Sequence, residues 1–454
     1  MDSQIIEKYN VPGPRYTSYP TVPFWKNDSL SDEQWLNTIN KNSAHFHSNA
    51  VSIYIHLPYC ETLCTFCGCH KRITKNHQVE KPYIDAVSKE WDLYLQKIPF
   101  SPVIRELHFG GGTPTFFEAD ALVKLVEHLF KTKKIDPKQV ELSFEAHPNN
   151  TTEDHLRKLF AFGFRRLSLG IQDYSPTVQQ AINRIQPFEN VKKAHDLARE
   201  IGYISISHDL VFGLPKQTVA AIENTVNQTL LLKPDRIALY SYAHVPWIKG
   251  NGQRGYNEND LPKSQEKRKL YETAKKMLEE NGYLEIGMDH FALKHDDLAI
   301  AFQNKTLHRN FMGYTTQITN LMIGLGMSAI SDSWFGFAQN EKTVEGYILR
   351  IKKGEIPVFR GHVLSDLDTE IRGYILDLMC QFHTTFKMDS PFKSIHELIK
   401  KQLFGMEKDG LLILKNDTVS ITTSGIPFVR NCCMAFDQDL QPNIKLERMF
   451  SQTI

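Results

Sequence analysis

Short β-branched and aromatic runs alternate with amphipathic helical periods through the first two thirds of the chain, and this restricts the fold more than any other feature. "VSIYIHLP" (51–58) reads as a strand stopped by Pro58. Runs of the same kind follow at 105–110, 140–148, 165–172, 204–215 and 235–243. Between them, "ALVKLVEHLF" places Leu122, Leu125, Val126 and Leu129 at i, i+3, i+4 and i+7, a stripe suited to packing on a sheet. "TTEDHLRKLFAFG" and "NVKKAHDLAREIG" are helical periods that each stop at a glycine. Six strands separated by helices predict an α/β protein with a parallel sheet, either doubly wound or an incomplete (β/α)6 barrel. In both, chemistry gathers beyond the C-terminal ends of the strands. The residues there are a cysteine run after the first strand, Gly110 to Thr115, Glu145, Gln172, Asp209 and Ala243.

The flanking segments read differently. At 454 residues the chain exceeds what one hydrophobic core usually serves. "PGPRYTSYPT" has three prolines, two tyrosines and no helical period, which predicts an N-terminal extended arm over 1–45 ahead of a catalytic unit over 46–360. Beyond about 360, "TEIRGYILDLMCQF" and "SIHELIKKQLFGMEKDG" are helical, and "LLILKNDTVSIT" reads as a hairpin turning at Asn416 and Asp417. A small, mostly helical, winged-helix-like unit over 361–454 is expected, packed as a lid.

"YCETLCTFCGC" (59–69) holds four of the seven cysteines at spacing C-x3-C-x2-C-x-C. No run of about 18 apolar residues exists and the N-terminal residues lack a secretory layout, so a cytoplasmic protein that spans no membrane is expected. A formal net charge of +1 gives no global field to favour nucleic acid. In a reducing compartment, clustered cysteines point to metal ligation, and the distant Cys380, Cys432 and Cys433 read as buried structural thiols. Zinc usually takes two C-x2-C pairs set well apart, and only one knuckle is present. C-x3-C-x2-C instead brings three thiolates onto one loop, one fewer than the irons of a [4Fe-4S] cluster, which leaves an iron open to another ligand. Zinc and a redox thiol site stay as alternatives. "GGGTPT" (110–115) allows close backbone approach and positive φ, and no Gly-Lys-Ser/Thr follows to make it a Walker loop.

"YIHLPYCETLCTFCGC" and "HFGGGTPT" resemble the signatures of the radical S-adenosylmethionine (SAM) enzymes. Within that superfamily "VPGPRYTSYPT", "CGCHK", "LSLGIQDYSPTVQQAINRIQ", "GMDHFAL" and "LHRNFMGYTT" resemble the oxygen-independent coproporphyrinogen III oxidase (dehydrogenase) family of haem biosynthesis, from about residue 9 to "VRNCCMAFD". The resemblance implies an incomplete radical-SAM barrel that decarboxylates and oxidises two propionates of coproporphyrinogen III to vinyl groups without oxygen. Its implied cofactors are a [4Fe-4S] cluster and two SAM molecules per chain, with an unidentified electron donor and acceptor, in a monomer that binds neither nucleic acid nor membrane.

Carried over by position, Cys60, Cys64 and Cys67 match the cluster ligands. Tyr54, Gly111, Glu145 and Ile330 match positions lining a first SAM, and Phe66, Gly112, Thr113, Gln172, Arg184, Asp209 and Ala243 those of a second. Cys69 is expected to be catalytic, turning away from the cluster towards cofactor and substrate. His56, His147 and His208 are expected to be hydrogen-bonded core residues without a metal role. Arg15, Tyr16 and Tyr19 suit a substrate with carboxylates and an apolar macrocycle. The competing readings are a haem-trafficking relative, which typically lacks the C-x-C ending and the arm, and a zinc-dependent nucleic-acid binder built on the winged unit.

Overall fold

The computed structural model describes residues 3–25, 30–132, 135–248, 252–440 and 449–453. The six expected strands are present: β1 (Ala50–Leu57), β2 (Val103–Gly111), β3 (Glu141–Ala146), β4 (Arg166–Gln172), β5 (Ser205–Phe212) and β6 (Arg236–Ser241). They lie side by side in sequence order and are all parallel. This order decides between the two sheet types, because a doubly wound sheet reverses direction at a switch point and a barrel does not. The helices that follow β1 to β5 pack each against the next, forming one outer layer.

The barrel is incomplete, and both of its edges are extended by further strands. Beyond β6 come β7 (Tyr283–Ile286) and β8 (His290–Leu293), with β8 against β6. Beyond β1 lie β9 (Met322–Leu325), parallel to β1, then β10 (Ile330–Asp332), β11 (Gly336–Asn340) and β12 (Val358–Val363).

Strand periodicity sets what faces inward. In β3, Leu142, Phe144 and Ala146 are buried in the main core, and in β4 so are Leu167, Leu169 and Ile171. The alternate residues Ser143, Glu145, Ser168, Ser207 and Asp209 line a polar chamber inside the barrel. Glu145 and Gln172 are therefore the uppermost strand members of inward-facing columns, and Asp209 lies one step below Val211 in its own.

After residue 360, helices Asp366–Gln381, Lys393–Lys408 and Val429–Phe436 surround a three-stranded sheet whose hairpin turns at Asn416 (φ 47) and Asp417 (φ 61). Two positive φ values in succession mark the tight turn that Asn and Asp tolerate. Cys380, Cys432 and Cys433 are buried.

The arm departs from expectation. Ser3–Tyr9 and Asp32–Phe46 are helices, the second started by a Ser31–Gln34 capping box, and the described residues between them form no regular helix apart from a single turn at Val22–Phe24. Trp35 and Ile39 join the barrel core. Tyr16 and Tyr19 are 4% and 2% exposed and sit in the core of the C-terminal unit. There Tyr16 donates to Asp437, so these two rings are not open to substrate.

Candidate active site

A cavity of about 430 Å³ opens at the C-terminal ends of the barrel strands. The loop after β1 supplies Cys60, Cys64, Phe66, Cys67 and Cys69 as one wall. Gly111, Glu145, Gln172, Asp209 and Ala243 come from β2 to β6 or the residues just after.

The cysteine loop is held by backbone. Gly112 N–H donates to Leu57 O (2.8 Å) and Thr113 N–H to Tyr59 O (3.0 Å). A Cβ on Gly112 would stand 2.6 Å from the Pro58 carbonyl, so the glycine is required by contact with the cysteine loop. Gly111 has φ +116, the left-handed region the run was expected to supply. On the far side Thr65 N–H donates to Ile182 O (2.9 Å) and Gly252 N–H to Cys67 O (3.1 Å). Lys71 Nζ caps the loop from below, donating to Cys67 O and Cys69 O, each at 3.2 Å.

The three cysteines are free thiols with donors aimed at two of them: Thr113 Oγ1 at Cys60 Sγ (3.3 Å) and Arg184 Nη1 at Cys64 Sγ (3.7 Å). Among the described residues no three His, Cys, Asp or Glu side chains gather tightly enough to hold a single metal ion. The cysteines are set round one wall, and with hydroxyl and guanidinium donors at their sulfurs this donor set fits a thiolate-ligated cluster. Burial pushes the Cys60 thiol up to about 11.

Cys69 corrects an expectation. Residues two apart on an extended segment share a face, and the Cys69 thiol is hydrogen-bonded to Cys67, an interaction that lowers Cys67 and raises Cys69. Its side chain therefore turns towards Cys67 and not away, while still lining the cavity.

Of the positions matched to a first SAM, Gly111 and Glu145 line the cavity, whereas Tyr54 and Ile330 are not among its lining residues. The Tyr54 ring packs against Gly110 and its hydroxyl donates to His56 Nδ1 (3.1 Å). Ile330 packs with Trp25, Phe337 and Leu364 beside β10. Glu145 Oε2 accepts from Gly111 N–H (3.2 Å), and its side chain is 45% exposed, leaving lone pairs for a cationic group.

All seven positions matched to a second SAM line the cavity. Gln172 adopts φ 71 at a bulge, which re-aims the end of β4. Arg184 Nη2 donates to Gly170 O (2.5 Å), while its buried Nε has no hydrogen-bond partner. An orphaned guanidinium donor suits a ligand with an acceptor such as a carboxylate. Burial pushes Asp209 up to about 7.

Sequence reasoning missed several residues of this wall. Tyr240 belongs to the inward column Arg236, Ala238, Tyr240, and counting in twos along β6 would have found it. Gln253 bridges Phe66 O (3.1 Å) and Ala243 O (2.7 Å) from a loop whose sequence carries no such signal. His147 lines the cavity, and burial brings it down to about 3, so it is neutral there. His208 is a core residue, paired with His195 Nδ1 at 3.0 Å.

The Radical SAM superfamily model matches residues 54–229, the segment from β1 to the helix after β5. Curated oxygen-independent coproporphyrinogen III oxidases of Helicobacter pylori and Escherichia coli are each 35% identical to this chain over its whole length, covering 99% and 98% of those proteins. That of Pseudomonas aeruginosa is 36% identical over the same extent. The solved structure of the E. coli coproporphyrinogen III oxidase, described as a radical SAM enzyme, superposes with a TM-score of 0.89 at 34% identity, over 97% of this chain and 99% of that one. The chain belongs to the oxygen-independent coproporphyrinogen III oxidase family of radical SAM enzymes.

Proposed function

We propose that this protein converts two propionate side chains of coproporphyrinogen III to vinyl groups by oxidative decarboxylation without oxygen, giving protoporphyrinogen IX. The observation that carries this reading is the single cavity in which Cys60, Cys64 and Cys67 on one wall face Glu145, Arg184 and Asp209 on the others. An unactivated propionate carbon offers no proton that a side chain could remove, so the hydrogen leaves as an atom. When bound, a [4Fe-4S] cluster with SAM supplies a 5'-deoxyadenosyl radical able to take it.

The chain's own residues bind and orient. Cys60, Cys64 and Cys67 would hold the cluster, with the Thr113 hydroxyl and the Arg184 guanidinium stabilising negative charge on sulfur. The Glu145 carboxylate takes the ammonium of one SAM, and Arg184 faces a carboxylate with its unpartnered donor. Asp209 and Gln172 offer acceptors for ribose or a cationic group of a second SAM. Phe66, Val211 and Tyr242 supply apolar wall that excludes water from a radical reaction. Loss of CO2 and of one electron to an acceptor then leaves the vinyl group. Two propionates call for two SAM molecules per substrate. A cytoplasmic monomer divided at about residues 45 and 360 belongs to the same reading; among the described residues, no helix is long and apolar enough to cross a membrane.

The test is anaerobic incubation of the reconstituted protein with SAM, a reductant and coproporphyrinogen III, with two deoxyadenosines expected per divinyl product. Deoxyadenosine without any vinyl product would assign a different substrate. A ratio of one would mean the radical is reused.

A further inference from the structure

We infer that Arg430, outside the cavity, is a positioning residue for substrate binding: it clamps the 10–14 and 451–453 segments together and thereby fixes Arg15 at the cavity rim. The inference rests on the functional reading above, in which the substrate carries propionates.

Arg430 lies on helix Val429–Phe436 and is 3% exposed. Its guanidinium is satisfied wholly by main-chain carbonyls from two distant parts of the sequence. Nε donates to Pro14 O (2.8 Å) and Nη2 to Gly13 O, while Nη1 donates to Gln452 O (3.3 Å) and Thr453 O (3.2 Å). The two segments also pair directly, with Gly13 N–H on Ser451 O (3.1 Å), Thr453 N–H on Val11 O (2.8 Å) and Thr453 Oγ1 on Tyr9 O (2.7 Å). A Cβ on Gly13 would meet Met434 and Thr453 side-chain atoms at 2.7 Å, so the fit leaves no slack.

One residue beyond Pro14 the chain delivers Arg15, the one residue of the arm that lines the cavity among the described residues. Arg15 Nη2 donates to Ser241 O at the end of β6 (2.6 Å), and Nη1 stands 3.4 Å from Asp289. Two donors are thus committed to orientation, out of the five an arginine carries. Lys267 and Arg430 are its cationic neighbours and Asp289 the facing anion; burial, Arg15 and Arg430 together bring Lys267 down to about 7. The Arg15 charge is met only at 3.4 Å by Asp289, and a guanidinium held in a fixed plane at the cavity rim suits a carboxylate.

The test compares Arg15→Gln, Arg430→Gln and the double variant in the full-length reconstituted enzyme. KM for coproporphyrinogen III, kcat for vinyl formation and SAM cleavage without substrate are read for each. Arg15→Gln should raise KM by about 10- to 100-fold, the size of one lost charge-assisted hydrogen bond. Arg430→Gln should raise KM in the same direction, and the double variant should be no worse than Arg15→Gln alone. Should Arg430→Gln fail to fold, Thr453→Val, which removes the hydroxyl's links to Tyr9 O, Val11 N–H and Asn431 Nδ2 and leaves Arg430 in place, should give a smaller rise in KM that vanishes in the Arg15→Gln background. Multiplying effects, or a fall in iron content and kcat at unchanged KM, would make Arg430 a structural residue only. Normal vinyl formation with an unchanged KM in Arg15→Gln overturns the inference and leaves the function standing. Absence of vinyl product from the unaltered enzyme overturns both.

Discussion

The rim of the barrel and the shell that covers it are built by opposite means. At the rim, each functional residue follows its own strand, and the strands are neighbours in sequence order, so local pattern and register place Glu145, Gln172 and Asp209 together. In the shell, contacts join residues more than four hundred positions apart: Tyr16 with Asp437, Arg430 with Gly13 and Pro14, Val11 with Thr453. The rim is specified by repetition of one supersecondary unit. The shell depends on individual side chains meeting once. Damage should therefore separate: changes at the rim remove cofactor from a folded protein, and changes in the shell loosen the cover over a barrel still able to hold its cofactor.

The largest expected effect is at the rim. Alanine at Cys60, Cys64 or Cys67 should abolish retention of iron after anaerobic reconstitution, with the helical content seen by circular dichroism unchanged. Cys69→Ser should keep its iron, because the serine hydroxyl can still donate to the Cys67 sulfur, but lose most vinyl formation. Iron loss from the Cys69 variant equal to that of the others would make it a ligand.

Removing residues 1–22 should strike the shell. The buried rings of Tyr16 and Tyr19 are each worth about 3–5 kcal/mol of packing, and the polar groups of Asp437 and Arg430 would lose their partners. Limited proteolysis should then cut within 366–436 while iron content stays near normal. Loss of iron on this truncation would break the separation.

A smaller effect is expected of Gly112→Ala, whose Cβ would press on the Pro58 backbone at a cost of about 1–3 kcal/mol. Faster iron release at unchanged fold would place that strain in the cysteine loop. A separate effect, on pH dependence, is expected in the shell. Burial raises Asp437 to about 7, against about 3.9 in the unfolded chain. Between those values the unfolded chain has released a proton that the folded one keeps, so this group makes stability fall as pH rises from about 4 to 7. Asp437→Asn should flatten the urea midpoint across that window, and an unchanged slope would show that Asp437 is ionised in the fold.

What could be read in advance follows the same division. The strands and the Asn416–Asp417 turn came from local pattern, because each depends on residues within a few positions of one another. The cysteine spacing pointed to a three-thiolate loop, yet the side to which Cys69 turns was misjudged by neglecting that positions two apart share a face. Tyr16 and Tyr19 looked like ligands for a macrocycle because nothing near them in the chain hints at Phe436, Asp437 or Gln438. Gln253 escaped for the same reason: its partners Phe66 and Ala243 are brought to it only by the completed barrel.

The pairing of residues 10–14 with 451–453 imposes an order on synthesis. A growing chain can assemble the barrel, close the cysteine loop against Gly112 and Ile182, and become competent to bind its cofactors while the ribosome is still short of residue 430. Residues 10–14 find their main-chain partners only once the 451–453 segment has emerged. A chain interrupted anywhere between the barrel and that segment would carry the means of making a radical but not the fixed Arg15 that holds its target. Emergence of that segment is thus the step that joins chemical power to selectivity.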